Sequence, residues 1–305
     1  MRKFVVISFV ILVGFTESFG QQHSLYSQYI FNLYAINPAY AGERNSVATA
    51  LSYRNQWVGF EGAPKTAYFS AHSPILNNNL AVGFWFQNEQ MGAREQTSMH
   101  GSVSYKLQLE GNKKISFALS GGALNHRYNW NELDFPDGSD PVAFVSEANQ
   151  WRPVFDFGAM YLSSHGYVGL SILNLNGVEL SESVIIDDRL EPSFNLIGGY
   201  IFPISNKVDL KPSALIRAQM NGAWQFDANL SARFMNALWI TATYRYQFGM
   251  VFSGHFYLND NLHFGYSYDL TTNSLLSQQS GTHELFIGYD FNLYKNKSST
   301  QRTFL

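Results

Sequence analysis

Gln96-Thr97-Ser98-Met99-His100-Gly101-Ser102-Val103-Ser104-Tyr105-Lys106-Leu107-Gln108-Leu109 decides the class of this chain. Gln96, Ser98, His100, Ser102, Ser104, Lys106 and Gln108 are polar, and they alternate with the mostly apolar set Thr97, Met99, Gly101, Val103, Tyr105, Leu107 and Leu109. Successive side chains of a strand point to opposite faces, so a period of two builds one polar and one apolar face. Fourteen residues is more than twice the roughly five or six of an average globular strand. It suits a tilted transmembrane strand, which needs about 9–11 residues to cross.

The alternation recurs downstream. Val208, Leu210, Pro212, Ala214, Ile216, Ala218 and Met220 share a face, opposite Asp209, Lys211, Ser213, Arg217 and Gln219. Trp224, Phe226, Ala228, Leu230, Ala232 and Phe234 lie opposite Gln225, Asp227, Asn229, Ser231 and Arg233. Leu238, Ile240, Ala242, Tyr244 and Tyr246 alternate with Trp239, Thr241, Thr243, Arg245 and Gln247. All six charges between 208 and 247 sit on the polar faces. A charge facing lipid costs about 2–4 kcal/mol at the midplane, so a bilayer imposes this exclusion.

The pattern predicts an all-β, single-chain antiparallel transmembrane β-barrel of about fourteen strands. They fall near 46–54, 66–72, 79–87, 95–109, 113–126, 151–163, 166–172, 192–202, 207–220, 224–235, 237–248, 250–258, 261–270 and 281–291. An even number suits a bacterial single-chain barrel. A short helix within 141–150 is the one helical expectation. Long connections (55–65, 88–94, 127–150, 173–191, 271–280) alternate with short ones such as 110–112, 164–165 and 235–236. Outer-membrane barrels put short turns in the periplasm and long loops outside, so both termini are expected in the periplasm. Strand 46–54 is expected to close on 281–291, because open edges are costly in lipid. Rings such as Trp151, Trp224, Phe248 and Tyr266 are expected at the membrane interfaces. A secreted β-sandwich also alternates, but it explains neither the strand lengths nor the aromatic content.

Composition agrees. Of 305 residues only 14% are charged and 16% are aromatic, against about 25% charged in an ordinary soluble domain. A net charge of −3 gives no support to nucleic-acid binding, which wants a basic face. Without cysteine there is no disulfide framework, thiolate metal site or Cys nucleophile. At the start, Arg2 and Lys3 precede the apolar run Phe4–Phe15, and Ser18 and Gly20 are small residues ahead of Gln21. This is the layout of a secretory signal peptide, 1–20, cleaved after Gly20. The domain division that follows is a periplasmic segment 21–45, which lies in the periplasm or tucks into the barrel foot, then the barrel 46–291 and a tail 292–305.

Three stretches carry a family resemblance. The first is Ser27-Gln28-Tyr29-Ile30-Phe31-Asn32 with Ile36-Asn37-Pro38-Ala39-Tyr40-Ala41-Gly42. The second is Tyr53-Arg54-Asn55-Gln56-Trp57-Val58-Gly59-Phe60-Glu61-Gly62-Ala63-Pro64-Lys65-Thr66. The third is Ser280-Gly281-Thr282-His283-Glu284-Leu285, closing with Tyr289-Asp290-Phe291. Together they resemble the PorP/SprF family of outer-membrane proteins of the type IX secretion system, in Bacteroidota. The loops 127–150 and 173–191 match least. The resemblance implies a non-enzymatic role in protein secretion, gliding motility and holding an adhesin or other cargo at the surface. It also implies partners: outer-membrane lipid, the C-terminal domain of the cargo and other type IX secretion components.

Several residues are candidates for chemistry. Asn55, Trp57, Phe60 and Pro64 stand on a Gly/Pro-braced loop that either anchors a partner through its rings or folds in to close the mouth. Arg217, Asp227 and Arg245 share lumen parity on three consecutive strands, and the expected turns set Asp227 opposite both arginines, an ion cluster in the wall. Asp134, Asp137 and Asp140 flank a Gly turn, but their spacing is not that of a calcium loop. The histidines show no metal-ligand spacing, and no metal or other cofactor is expected. His283 has apolar parity, where a hydrolase would need a serine partner, and a membrane-interface role is the simpler reading. His100, His255 and His263 are expected in the lumen. Ser116, Ala118, Ser120 and Gly122 leave inward space that Trp85, Trp239, Tyr257 and Phe286 fill, so the sequence leaves open whether water, a plug or a folded loop occupies the lumen. A porin-like small-molecule channel is therefore the alternative to cargo anchoring.

Overall fold

The computed structural model describes residues 26–75, 79–129, 150–180, 189–220, 222–272 and 277–292. The helix expected within 141–150, the acidic turn 134–140, the signal peptide 1–20 and all of the tail but residue 292 lie outside the described residues.

Among the described residues seventeen strands form, in chain order: β1 Val47–Asn55, β2 Lys65–Ile75, β3 Leu80–Met91, β4 Arg94–Leu109, β5 Lys113–Tyr128, β6 Gln150–Leu162, β7 Gly166–Leu173, β8 Val178–Glu179, β9 Arg189–Leu190, β10 Ser193–Tyr200, β11 Phe202–Ser205, β12 Val208–Gln219, β13 Trp224–Phe234, β14 Leu238–Arg245, β15 Gly249–Tyr257, β16 Leu262–Thr271 and β17 Thr282–Phe291. All but β8 and β9 join one antiparallel sheet that closes on itself through β10–β12. Strands β10 and β11 are one stave interrupted at Ile201, and both pair with β12, so the barrel has fourteen staves. The interruption coincides with Pro203 and a register shift between Pro203 and Ser205. Proline has no N–H for the ladder and favours such irregular edges. The seam closes as the pattern demands, with Val47 opposite Phe291 and Asn55 opposite His283.

Burial inverts that of a soluble protein. On β4, Ser98, His100, Ser102, Ser104 and Lys106 are buried, while Met99, Val103, Tyr105 and Leu107 are exposed. All six charges between 208 and 247 are buried. Leu119, on the outer face of β5, is 68% exposed. Apolar side chains cover the outside of staves all around the barrel. Soluble monomers rarely expose a contiguous apolar patch beyond a few hundred Å²; here the belt is the lipid-facing surface. Trp151, Trp224 and Tyr266 are among its exposed rings.

Two features differ from the sequence expectations. The 173–191 connection contains the small hairpin β8–β9, whose Val178 and Leu190, with Leu180, bury against Leu124 and Val154 on the inner wall of β5 and β6. The segment ahead of β1, expected in the periplasm or at the barrel foot, reaches well beyond the foot. Its described part, Tyr26–Arg44, threads the lumen as a strap of three single-turn 3-10 helices, Gln28–Ile30, Leu33–Ala35 and Pro38–Tyr40. Aperiodic turns of this kind carry no pattern from which their place could be read.

Candidate functional site

The wall cluster is half as expected. Asp227 lies directly opposite Arg245, and Arg245 Nη2 is 3.2 Å from Asp227 Oδ2. The connection that sets this register is short: Phe234 pairs with Leu238 across Met235–Ala237, Met235 and Asn236 both take positive φ, and Ala237 N–H donates to Phe234 C=O at 3.0 Å. Arg217 does not face Asp227. The β12–β13 register is shifted by two residues, placing Arg217 opposite Gln225 and Leu215 opposite Asp227. The connection is longer than a tight turn, and Gln219 N–H already donates to Ala223 C=O at 2.7 Å. Arg217 Nε donates instead to Asn195 Oδ1 at 2.9 Å, while Gln225 Nε2 donates to Asp227 Oδ1 at 2.7 Å.

The cluster extends to residues the sequence reading did not single out. Arg245 Nη1 also reaches Asp269 Oδ2 at 3.1 Å, Arg54 Nη2 reaches the same oxygen at 2.6 Å, and Arg54 Nη1 reaches Glu284 Oε2 at 3.1 Å. Charges alternate along an inner arc: Glu284 of β17, Arg54 of β1, Asp269 of β16, Arg245 of β14 and Asp227 of β13. Each had lumen parity in the sequence; cross-strand adjacency was the missing signal.

The strap docks on this arc. Ser27 N–H donates to Glu284 Oε2 at 2.7 Å and Gln28 N–H to Glu284 Oε1 at 3.3 Å. Ser27 Oγ donates to Asp269 Oδ1 at 2.8 Å and accepts from Arg54 Nη1 at 2.9 Å. Tyr26 bonds Gln87 high on β3. At the opposite end of the lumen, Arg44 Nη1 meets Asp290 Oδ2 at 2.7 Å. Glu43 lies 3.6 Å from Lys106 Nζ and pairs with Lys114. Gly42, with φ of +68°, turns the chain into β1, and a Cβ there would overlap Ala81.

Between these ends the wall is cut to the strap. A Cβ at Gly83 would overlap the Tyr34 hydroxyl, one at Gly158 would overlap Asn37 Oδ1, and one at Gly265 would lie 2.6 Å from Gln28 Oε1. Asn37 caps the third turn, accepting from Ala39 N–H at 2.9 Å. Its amide also donates to Ala159 and Leu170 carbonyls of the wall at 3.2 and 3.1 Å. Tyr34 bonds Ser102 at 2.8 Å, and Asn229 Nδ2 donates to the Tyr29 hydroxyl at 2.9 Å. Phe31 stacks on His255 with centroids 4.2 Å apart. Tyr29, Tyr34, Ile36 and Tyr40 are among the most deeply buried large side chains and share a cluster with Trp239, while Phe286 stands against His255, on which Phe31 stacks. The inward aromatics of the wall therefore complete a packed core around the strap.

The 55–65 loop stands at the loop end of the barrel. Val58 N–H donates to Gly281 C=O at 2.9 Å, Ser280 N–H to Val58 C=O at 2.7 Å, and Gly92 N–H to Gly62 C=O at 2.8 Å. The first two bonds continue the β1–β17 seam beyond the strands, and the third ties the loop to the β3–β4 turn. Trp57 meets Phe60 edge-on at 6.5 Å; Phe60 is exposed, while Pro64 is buried. Asn55, Trp57 and Phe60 line a concavity of about 490 Å³ that opens at the rim.

His100, His255 and His263 are buried in the lumen. His283 faces outward, and its Nδ1 is 2.7 Å from the Tyr266 hydroxyl. Among the described residues no group of three or more His, Asp or Glu comes together as a metal site.

Residues 18–289 match the family described as type IX secretion system membrane protein PorP/SprF. The chain belongs to the PorP/SprF family. No curated protein matches it by sequence. Among solved structures, this PorP/SprF barrel is similar to the toluene transporter TbuX of Ralstonia pickettii. The two share 8% identity over 90% of this chain and 95% of that one, with a TM-score of 0.51. It is also similar to the CymD monoaromatic hydrocarbon channel, at 12% identity over 92% and 96%, with a TM-score of 0.51. At such identities the likeness concerns the fold alone. Family and fold make it an outer-membrane β-barrel component of type IX secretion.

Proposed function

We propose that this barrel anchors, or helps export, a secreted surface cargo such as an adhesin, and that it does so through its loop-end face. The observation that carries this reading is the filled lumen. The strap runs from Ser27 on Glu284 to Arg44 on Asp290, and β8–β9 packs onto the inner wall beside it. A solute channel needs a continuous wet path lined by the wall, whereas here the wall's polar groups bond the chain's own strap. What the molecule offers a partner is its rim, where Trp57 and Phe60 stand on a loop braced at both flanks. Aromatic side chains on a rigid support are the usual anchors of protein interfaces. The C-terminal domain of the cargo is the proposed ligand, with other secretion components alongside. The test is capture of the detergent-solubilised protein from the outer membrane, with planar-bilayer conductance measured on the same preparation. Co-purification of a surface protein and a silent bilayer support anchoring. Steady large conductance without a captured protein would return the function to a porin-like channel.

A further inference from the structure

The concavity beside the 55–65 loop opens sideways, on the outside of the barrel wall. Asn55, Lys65 and Gln90 line it, and all three have the outward parity of their strands, which they share with Tyr53 of β1, Phe69 of β2 and Phe86 of β3. They form one row across the wall, with Lys65 opposite Asn55 on one side and Gln90 on the other. His283 of β17, opposite Asn55, continues the row. Two residues further down, the outward positions of β1 and β17 are Tyr53 and Leu285, both exposed, where the apolar belt begins. That step is about 7 Å along a strand, or about 5 Å in height at a tilt of about 35–45°. The headgroup layer above the hydrocarbon is about 5–7 Å deep. The polar row therefore lies at headgroup level, and the loop end puts it in the outer leaflet.

The concavity is braced and carries both signs of charge. Gln56 N–H donates to Pro64 C=O at 2.9 Å across the base of the loop, and Trp57 N–H donates to Thr282 Oγ1 at 3.1 Å. Trp57 takes a φ of +45°, which a bulky residue adopts only where its surroundings impose it. Trp57 and Phe60 line the concavity together with Glu61 and Lys65. Both charged residues are exposed, and neither side chain has an ion pair or hydrogen bond among the described residues. A lone cation suits any anion. A cation and a carboxylate beside two rings suit a zwitterion: Lys65 meets its phosphate, and Glu61 with the face of Trp57 meets its ammonium. At about 490 Å³ the space is within the range of about 300–1,000 Å³ of small-molecule sites. We propose that this concavity binds the head of an outer-leaflet lipid that carries a phosphate and a primary ammonium, as phosphoethanolamine does, with the acyl chains running down the wall past Tyr53. The proposal goes beyond the cargo reading and does not rest on it, although Trp57 and Phe60 are common to both.

The test is native mass spectrometry of the whole protein, purified in detergent, with three probes: phosphatidylethanolamine, phosphatidylglycerol, which lacks the ammonium, and free phosphoethanolamine, which lacks the chains. The expected result is a phosphatidylethanolamine adduct retained about tenfold better than either of the others. Lys65→Gln and Glu61→Gln are each expected to weaken it about tenfold or more, since each removes a charged partner. Lys65→Arg keeps the charge and is expected to retain the adduct. The heat-modifiable gel band checks the folding of each variant, and should one fail to fold, the other reads the same site. Equal retention of the two lipids, as for a non-specific boundary lipid, or an adduct unchanged by both substitutions to Gln, would overturn the proposal. Equal binding of free phosphoethanolamine would also overturn it, by assigning the site to a soluble ligand. No cargo is present in this experiment, so failure to bind lipid and failure to capture cargo are read apart.

Discussion

Replacing Arg54 with methionine tests whether the lumen arc holds the barrel and its strap together. The guanidinium is buried and makes four bonds: Nη2 to Asp269 at 2.6 Å, Nη1 to Glu284 at 3.1 Å and to Ser27 Oγ at 2.9 Å, and Nε to Gln56 Oε1 at 3.3 Å. Removing one partner of a buried ion cluster costs about 3–5 kcal/mol, because the remaining charge stays buried and uncompensated. Asp269 retains Arg245 at 3.1 Å, whereas Glu284 is left with amide and hydroxyl donors from Ser27, Gln28 and Ser52. One carboxylate is thus orphaned rather than two, which favours the lower half of that range. At about 2–4 °C per kcal/mol for a chain somewhat shorter than this one, the expected fall in Tm is about 6–16 °C for a loss of ~3–4 kcal/mol. The assay is thermal loss of the heat-modifiable form and of the β signal in circular dichroism, in detergent. Adding Glu284→Gln to Arg54→Met removes the orphaned charge and is expected to recover part of the loss. Arg54→Lys keeps the charge but loses the fork, so it should fall between. If Arg54→Met lowers Tm by no more than the ~1 kcal/mol scale of an exposed pair, the arc is solvated and this reasoning is wrong.

Gly158→Val pushes a side chain into Asn37 and Pro38 of the strap; the expected outcome is a displaced strap, read as new conductance in planar bilayers or as loss of the folded band. An unchanged, silent barrel would show that the strap is not seated where it is described. Leu119→Arg places a charge on the lipid-facing side of β5 and is expected to cost about 2–4 kcal/mol if the site lies near the midplane, measured by urea titration in lipid vesicles. The same substitution in a soluble protein would be nearly silent at a residue this exposed. Trp57→Ala with Phe60→Ala is expected to reduce cargo capture while leaving Tm within a few degrees, since Phe60 is exposed and the loop is held by backbone bonds.

The sequence by itself determined the barrel, its fourteen staves, which face of each strand meets lipid, the β1–β17 seam and the Asp227–Arg245 pair. These are legible because a bilayer acts on every strand separately: charge is excluded from one face of a period-two pattern, and that exclusion is written locally. The turn at Met235 and Asn236 is equally local, so its register could be read. Tertiary structure alone decided the rest. The β12–β13 register slipped by two residues because alternation is unchanged by such a slip, and only the geometry of the connection chooses between the two. The β8–β9 hairpin has just two residues in each strand, too few to show a period. The strap is the largest such decision. Its Ser27, Tyr34 and Asn37 find partners 257, 68 and 133 residues away, and its short turns lack any period to announce a face. The sequence showed only that polar groups line the lumen; that the chain's own aromatic segment satisfies them, between Glu284 and Asp290 of β17, follows from closure of the barrel around it.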